Sequence, residues 1–417
     1  MSEGTSVVMD RSEKYRRFLV ILSTVMYFIG YLCRNSYTVS KVAMGFDITE
    51  TAKVVAGGFF AYAAGQLVSG FLGDRVKPER LILTGLLVTG VMNFLIPFCP
   101  DTNVMLVVWC ANGFAQSLLW PPLVKILSTY LNITDYSRAT ATVNMGGLTG
   151  TVVLYLLGTV FAGFWKALFY LTAGLAIAFG ILWIFCFKKL KGSLTLKKTE
   201  EALQNIQKKA QKMDRQGLMM LMGSVLCVLI IGFMRDGIGN NLSDLVKENF
   251  GVSNWLAIFS GVAVPVVSII LIAVLSSLNQ KKIQNEFGTG GVCFSVAFAC
   301  GIALTLLFAT LTAQNGILGV LCTVMLCTLI SSFMSGAAIM IVCVVPGRFE
   351  RYGKVSLVSG IINCASYAGS SVSNLVVAYV SKNGWSRVAI MWTITVAFGL
   401  FSCFVISRFW KKFRTIV

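Results

Sequence analysis

The sequence predicts an all-α membrane protein in which twelve transmembrane helices form two pseudo-symmetric six-helix bundles. The composition, the spacing of the apolar segments and the distribution of the basic residues each indicate this fold class. Of the 417 residues, 56% are hydrophobic and 12% are charged, and the mean hydropathy is +0.78. These values are typical of a chain whose solvent is mostly lipid, so they exclude a water-soluble enzyme.

Twelve apolar segments are long enough to cross a bilayer as helices, which takes about 20 residues each. In chain order they cover 18–40, 51–73, 81–99, 104–127, 139–164, 167–187, 217–238, 254–278, 290–313, 316–345, 355–380 and 387–408. A longer polar segment follows the sixth of them. We therefore expect an N-terminal bundle over 1–187, a basic cytosolic linker over 188–215 and a C-terminal bundle over 216–417.

The linker has an amphipathic pattern. Four apolar residues share one helical face, while lysines cover the other faces; the four are Leu203, Ile206, Ala210 and Met213. This pattern predicts a short helix that lies along the membrane surface. A regulatory or partner-binding role is the alternative.

Lysine and arginine are distributed unevenly between the two sides of the membrane that this topology defines. If the N-terminus is cytosolic, 27 of the 35 basic residues lie on the cytosolic side and six on the opposite side. By the positive-inside rule, both termini then lie in the cytosol, as expected for a protein of the plasma membrane. The anionic inner leaflet accounts for the net charge of +18, so we expect no nucleic-acid partner.

The residue types that enzymes and metal sites require are scarce. The chain has no histidine, and most of its 12 cysteines lie singly in apolar segments without a CxxC pattern. Histidine-based acid–base catalysis and histidine-ligated metals are therefore excluded. We expect no enzymatic activity, no metal and no cofactor.

Two basic residues remain inside the membrane, Arg34 and Arg235. A charge there costs about 2.5–3.5 kcal/mol on insertion scales, so such residues usually face a cavity and have a function. Each lies at a similar depth in the first helix of its bundle, as expected for a shared binding site near the midplane. The pattern predicts anion binding. Snorkelling or pairing with a carboxylate is the alternative, and it is stronger for Arg235 because Asp236 is its neighbour.

Helical spacing places polar side chains close to the first arginine. Tyr27, Tyr31 and Arg34 share one face of the first span, and Tyr62 and Gln66 share a face of the second. Phenol and amide groups can bind an oxyanion while the rings form an apolar cavity. Core packing of these tyrosines is the alternative.

The segment GFLGDRVKPER after the second span resembles the signature loop of the major facilitator superfamily, with Lys77 in place of the usual glycine. This resemblance implies the major facilitator fold and a gating motif formed by Gly70, Asp74 and Arg75. A simple topology anchor is the alternative.

Four further segments resemble the organophosphate:phosphate antiporter family within that superfamily: YLCRNSY, WCANGFAQSLLWPP, FMRDG and SYAGSSVSN. The resemblance implies that phosphate binds between Arg34 and Arg235. It further implies a set of binding residues that comprises Tyr27, Tyr31, Tyr62, Gln66, Trp120, Asn144 and Tyr367.

The chain departs from the family pattern at charged positions. Asn35, Gln66 and Val143 stand where family members carry lysine, lysine and histidine. Asp236 lowers the positive charge of the site further. A smaller or singly charged anion therefore remains an alternative to a sugar phosphate.

The favoured function is the exchange of a small organophosphate for inorganic phosphate by a monomer in the lipid bilayer. If Asp236 faces the cavity, it balances Arg235 and can couple transport to protons. That would give a symporter, or otherwise a uniporter, of a carboxylate or phosphonate. A transporter-like membrane sensor is a third reading.

Overall fold

The computed structural model describes residues 2–131, 133–193, 213–278, 285–310, 316–352 and 355–415. All regular structure in these ranges is helical. The described residues of the N-terminal half form seven α-helices: α1 (Ser2–Met44), α2 (Ile48–Arg75), α3 (Pro78–Leu95), α4 (Thr102–Ser117), α5 (Trp120–Tyr130), α6 (Ile133–Val160) and α7 (Lys166–Ser193). A 3₁₀ turn (Ile96–Phe98) follows α3.

Helices α4 and α5 form one membrane crossing with a break at Leu118 and Leu119. Pro121 and Pro122 follow directly, within the first turn of α5. Proline lacks a backbone N–H and clashes with the preceding turn, so a continuous helix cannot run through this pair. The break turns Trp120 towards the centre of the molecule.

In the C-terminal half, the ranges that the structure describes form seven more α-helices: α8 (Arg215–Phe250), α9 (Asn254–Ser260), α10 (Ala263–Leu278), α11 (Glu286–Thr310), α12 (Gly316–Ala338), α13 (Val355–Ser381) and α14 (Trp385–Thr415). A π-helical turn (Ile339–Val344) continues α12, and a 3₁₀ segment (Val345–Tyr352) leads to α13. Short α9 and α10 together make one crossing, as α4 and α5 do.

In the described residues, ten segments are long and apolar enough to cross a membrane. The two other long helices, α2 and α13, carry several buried polar side chains, among them Gln66, Ser370 and Asn374. Both occupy the positions of predicted spans. The predicted fold class, an all-α protein with two sets of membrane helices, is confirmed.

Each half packs around its own apolar core. Trp183 and Met26 lie in the core of the N-terminal half, and Trp392 and Phe294 in that of the C-terminal half. The halves meet where α2 packs on α13, α1 on α8, and α6 on α9 and α10. These contacts leave space between the bundles at the middle of the molecule.

The two ends of the molecule carry different parts of the chain. The linker side is the end at which α7 stops at Ser193 and α8 begins at Arg215; the far side carries the turns at 45–47 and 251–253. Helix α7 continues six residues past the predicted bundle end at 187. Residues 194–212, where the surface helix is predicted, lie outside the described part of the chain.

Candidate functional site

A cavity of about 1090 Å³ lies between the two bundles. Side chains from α1, α2, α5 and α6 line one wall, and side chains from α8, α10, α12 and α13 line the other. This volume is at the upper end of the range for small-molecule sites. A cavity with one wall from each bundle is the position expected for a carrier's binding site.

The cavity brings together almost all of the residues that the sequence selects. Those that line it are Tyr27, Tyr31, Arg34, Tyr62, Trp120, Asn144, Arg235, Asp236 and Tyr367. Gln66 is not among the lining residues: its side chain is buried, and its Nε2 has no hydrogen-bond partner in the described part of the chain. Gly70, Asp74 and Arg75 lie in the last turns of α2, and their side chains lie outside what the structure describes.

Arg34 is held in an aromatic frame on the wall of the N-terminal bundle. Its guanidinium carbon lies 4.3 Å from the centre of the Tyr62 ring and 4.8 Å from that of Tyr31, within range of a cation–π attraction. Its Nε and Nη2 are buried and have no hydrogen-bond partner among the described residues. Two buried donors thus lack acceptors, which is costly unless a bound group supplies them.

Arg235 lies on the facing wall and is paired. Its Nε and Nη2 each donate to one carboxylate oxygen of Asp236 at 2.7 Å. Ser370 of α13 also donates to that carboxylate. The alternative considered for Arg235, pairing with its neighbouring carboxylate, is therefore what the structure shows, and the pair sits inside the cavity.

Aromatic rings surround the arginines on both bundles. Tyr27 packs on Tyr31 and on Trp120, with ring centres 4.9 and 5.0 Å apart. Tyr62 and Tyr367 meet across the gap between the bundles at 4.5 Å. These rings narrow the cavity around the two guanidinium groups and give it walls that are mostly apolar.

Polar contacts between the bundles close the far side. Lys41 of α1 forms an ion pair with Asp244 of α8, with Nζ 2.6 Å from Oδ2. Lys247 of α8 donates to the carbonyl of Val42 at 2.7 Å, and Ser371 donates to the carbonyl of Ala56 at 2.8 Å. The sequence around each lysine gives no indication of these contacts, because each partner lies in the other half of the chain.

The cavity extends towards the linker side. Glu286, the first residue of α11, and Arg348 of the 3₁₀ segment both line it and pair with each other at 3.1 Å. Trp410 donates to the second carboxylate oxygen of Glu286 at 2.8 Å. The structure therefore has a closed far side and a cavity directed to the linker side.

Comparison with known proteins identifies the family. Residues 17–374 match the model of the family described as Major Facilitator Superfamily. The chain belongs to the major facilitator superfamily. Members of this superfamily are transporters rather than enzymes, and the predicted superfamily resemblance is confirmed.

Two relatives of this facilitator carry names that refer to anions. It is 25% identical to a glycerol-3-phosphate transporter of Bacillus subtilis (strain 168), over 50% of this chain and 50% of that protein. The chain thus spans about half the length of that relative. It is 22% identical to a potential vesicular glutamate transporter, vglu-3, of Caenorhabditis elegans, over 95% of this chain and 79% of the relative.

A solved structure shares the fold of this facilitator. It is the crystal structure of a bacterial homolog to the human lysosomal transporter Spinster in an inward-facing and unoccupied conformation. The TM-score is 0.70 at 14% sequence identity, with 96% of this chain and 98% of that chain covered. At this identity the likeness establishes the fold alone.

Proposed function

We propose that this facilitator is a secondary transporter that exchanges a small organophosphate for inorganic phosphate by alternating access. One observation carries the proposal: Arg34 presents two buried guanidinium nitrogens, for which the described residues offer no acceptor, beside a cavity shared by both bundles. An oxyanion supplies acceptors to such donors. The name of the Bacillus subtilis relative, a glycerol-3-phosphate transporter, supports this ligand class.

The guanidinium fork of Arg34 suits phosphate. Two of its N–H groups can donate in parallel to two phosphate oxygens, a geometry that lysine lacks. Tyr31 and Tyr62 pack against the guanidinium and fix its orientation before the anion arrives. A phosphate that also reaches Arg235 must compete with Asp236 for that second fork.

The two ends of the molecule support alternating access. Contacts between the bundles close the far side at Lys41 and Asp244, while the cavity extends to Glu286 and Arg348 at the linker side. Rocking of the bundles would break the first set of contacts and expose Arg34 to the far side. We expect a monomer in the plasma membrane, with the linker side and both termini in the cytosol.

Exchange requires that the empty carrier returns less readily than the loaded one. Two guanidinium groups about 8 Å apart repel by about 2 kcal/mol at an effective dielectric constant near 20. A bound phosphate replaces this repulsion with charge-assisted hydrogen bonds, so the loaded carrier closes more easily. The exchange mechanism therefore depends on how far Asp236 cancels the charge of Arg235.

The Arg235–Asp236 pair favours a second candidate function. If the pair persists in the empty carrier, it lowers the repulsion and allows the empty carrier to return. Protonation of Asp236 would then free Arg235 for the substrate and couple uptake to protons. The result would be a symporter of a carboxylate or phosphonate, and the name of the Caenorhabditis elegans relative, which refers to glutamate, supports a carboxylate.

Counterflow in proteoliposomes tests the principal proposal. Vesicles loaded with unlabelled phosphate should accumulate radiolabelled phosphate, and phosphate esters, phosphonates and carboxylates added outside should compete according to their fit. Arg34→Lys keeps the charge but loses the fork, so it should abolish counterflow. Full activity of Arg34→Lys would contradict the proposal, and binding without exchange would indicate a sensor.

Asp236→Asn separates the two candidates. An exchanger should retain phosphate counterflow in this variant, whereas a proton symporter should lose uptake driven by an inward proton gradient. Ser370→Ala is the matched control, because it removes a hydrogen bond to the same carboxylate and keeps its charge.

A further inference from the structure

The cavity-lining face of α1 continues beyond the cavity to a buried cation. Arg34 and Thr38 line the cavity. Lys41, seven residues after Arg34 in the sequence, shares their helical face one turn closer to the far side. The side chain of Lys41 is 0% exposed. At 1.5 Å per residue, Lys41 lies about 10 Å from Arg34 along the helix.

Within the described ranges, the partners of the Lys41 ammonium group belong to the other bundle. Its Nζ lies 2.6 Å from Oδ2 of Asp244 and donates to Oδ1 of Asn241 at 3.1 Å. Asn241 in turn donates to Oδ1 of Asn374 on α13. Any movement that opens the far side must therefore separate Lys41 from its carboxylate.

Stability alone does not explain this pair. Burial removes two charges from water, and a buried ion pair is often no more stabilising than apolar side chains of the same volume. Lys247 adds a second ammonium group to the same interface. The nearby carboxylate of Glu248 accepts a hydrogen bond from Trp385 within the C-terminal bundle, so it does not follow Lys41 when the bundles separate.

We propose that Lys41 is an outer anion-binding site that Asp244 occupies while the far side is closed. When the far side opens, Asp244 leaves with the C-terminal bundle, and Lys41 binds an incoming phosphate or phosphate ester. Arg34 receives the anion two helical turns deeper, and Asp244 returns to Lys41 as the bundles close. This inference rests on the proposed function, since it assumes an anionic substrate.

Lysine is a suitable residue for a site that binds the anion only briefly. An ammonium group is a point charge that binds an oxyanion without the bidentate geometry of an arginine fork. It therefore holds the anion more weakly than Arg34 and releases it more readily. A charged group at the mouth of a site also raises the rate of association with ions of opposite charge.

Pyridoxal 5′-phosphate tests the site directly, because it carries a phosphate group and an aldehyde that condenses with lysine. The amine and the aldehyde form an imine with loss of water, and borohydride then reduces the imine to a stable secondary amine. Added to the far side of proteoliposomes, it should label Lys41, as read by peptide mass spectrometry. Inorganic phosphate should protect Lys41.

Lys53 is the matched control, since it is an exposed lysine on the same side in α2. It should react without protection by phosphate. Absence of label on Lys41, or label that phosphate leaves unchanged, would overturn the inference. If either result is obtained while phosphate counterflow still depends on Arg34, the proposed function stands and only the Lys41 site is wrong. Counterflow that does not depend on Arg34 would contradict the proposed function itself.

A double variant tests the same site through transport. Lys41→Met with Asp244→Asn removes both charges with little change in side-chain volume, so we expect the fold to be retained. At low phosphate concentration, the counterflow rate should fall at least about tenfold, because an ionic attraction to the substrate is lost. Lys53→Met should leave it unchanged; an equal loss in both variants would contradict a specific role for Lys41.

Discussion

The two membrane arginines occupy equivalent places in the two bundles but have opposite surroundings. Arg34 has aromatic neighbours and two donors that find no acceptor in the described part of the chain, whereas both of the corresponding donors of Arg235 bind Asp236. Position in the fold is therefore symmetric, and available charge is not. Under the proposed function, the N-terminal bundle would supply the primary anion contact and the C-terminal bundle an adjustable one.

Replacement of each arginine by lysine should give the largest effect and test this asymmetry directly. Arg34→Lys should lower phosphate counterflow at least about 100-fold, as expected when two charge-assisted hydrogen bonds are lost. Arg235→Lys should lower it about tenfold, because much of that fork is already used by Asp236. Initial rates of labelled-phosphate uptake give both values, and equal losses would refute the asymmetry.

Removal of the carboxylate should bring the two arginines closer in behaviour. Asp236→Asn frees Arg235 from its counter-ion, so the half-saturation concentration for phosphate should fall about tenfold. A tenfold change corresponds to roughly 1.4 kcal/mol of added binding free energy. Competition assays at pH 7 measure the change. No gain in affinity would indicate that Arg235 does not contact the anion.

The ion pair on the far side should set the preference of the empty carrier for one conformation. Asp244→Asn leaves Lys41 buried without a counter-ion only when the far side is closed, a state that should then cost roughly 3 kcal/mol more. The ratio of far-side to linker-side half-saturation concentrations should therefore fall at least tenfold.

Glu248→Gln is the matched control for that measurement. Glu248 lies one turn further along α8, and its hydrogen bond with Trp385 stays within one bundle. The ratio should remain near the wild-type value in this variant. A similar fall in both variants would show that general charge loss, rather than the contact between the bundles, causes the effect.

The smallest expected effect concerns the turns on the far side, which also differ between the halves. Asp47 accepts a hydrogen bond from the backbone N–H of Thr49 and caps α2, whereas Ser253 makes no such bond to α9. Asp47→Ala should lower the free energy of unfolding by about 1 kcal/mol, and Ser253→Ala by less. Thermal unfolding in detergent measures both.

The Asp47 effect should depend on pH. Hydrogen bonds from Thr49 hold the pKa of the Asp47 carboxyl below its usual range. Because the pKa of this carboxyl is lower in the folded state, its ionised form stabilises the fold at pH values above the unfolded-state pKa of about 3.9. That contribution is lost as the pH falls through the folded-state pKa. The difference in the free energy of unfolding between the wild type and Asp47→Ala should therefore be constant near neutral pH and shrink below about pH 4.

The elements and most of the cavity residues could be predicted from the sequence because both depend on local pattern. Apolar length defines the spans, and helical spacing groups Tyr27, Tyr31 and Arg34. Gln66 shares a helical face with Tyr62 by spacing, yet it is buried and does not line the cavity. One turn beyond Tyr62, that face is covered by the surrounding packing, and no local pattern specifies where along the helix such cover begins.

Three features required the tertiary structure. The break before Trp120 arises from Pro121 and Pro122, whose sequence signal is clear once a helix boundary is considered there. The π-helical turn at Ile339–Val344 has no comparable signal. The pairing of Lys41 with Asp244 joins residues that are distant in the chain, and only the packing of α1 on α8 brings them together.

The short distance between Arg34 and Lys41 has a consequence for bioenergetics. A water-filled cavity that extends to the linker side would bring that compartment's potential close to Arg34, and most of the voltage across the membrane would then fall over the roughly 10 Å between these two residues. Moving one uncompensated charge across this layer changes its electrostatic free energy by about 2.3 kcal/mol for each 100 mV of membrane potential. Electroneutral turnover would be insensitive to that voltage, and any imbalance between the charges carried in each direction would make the carrier electrogenic.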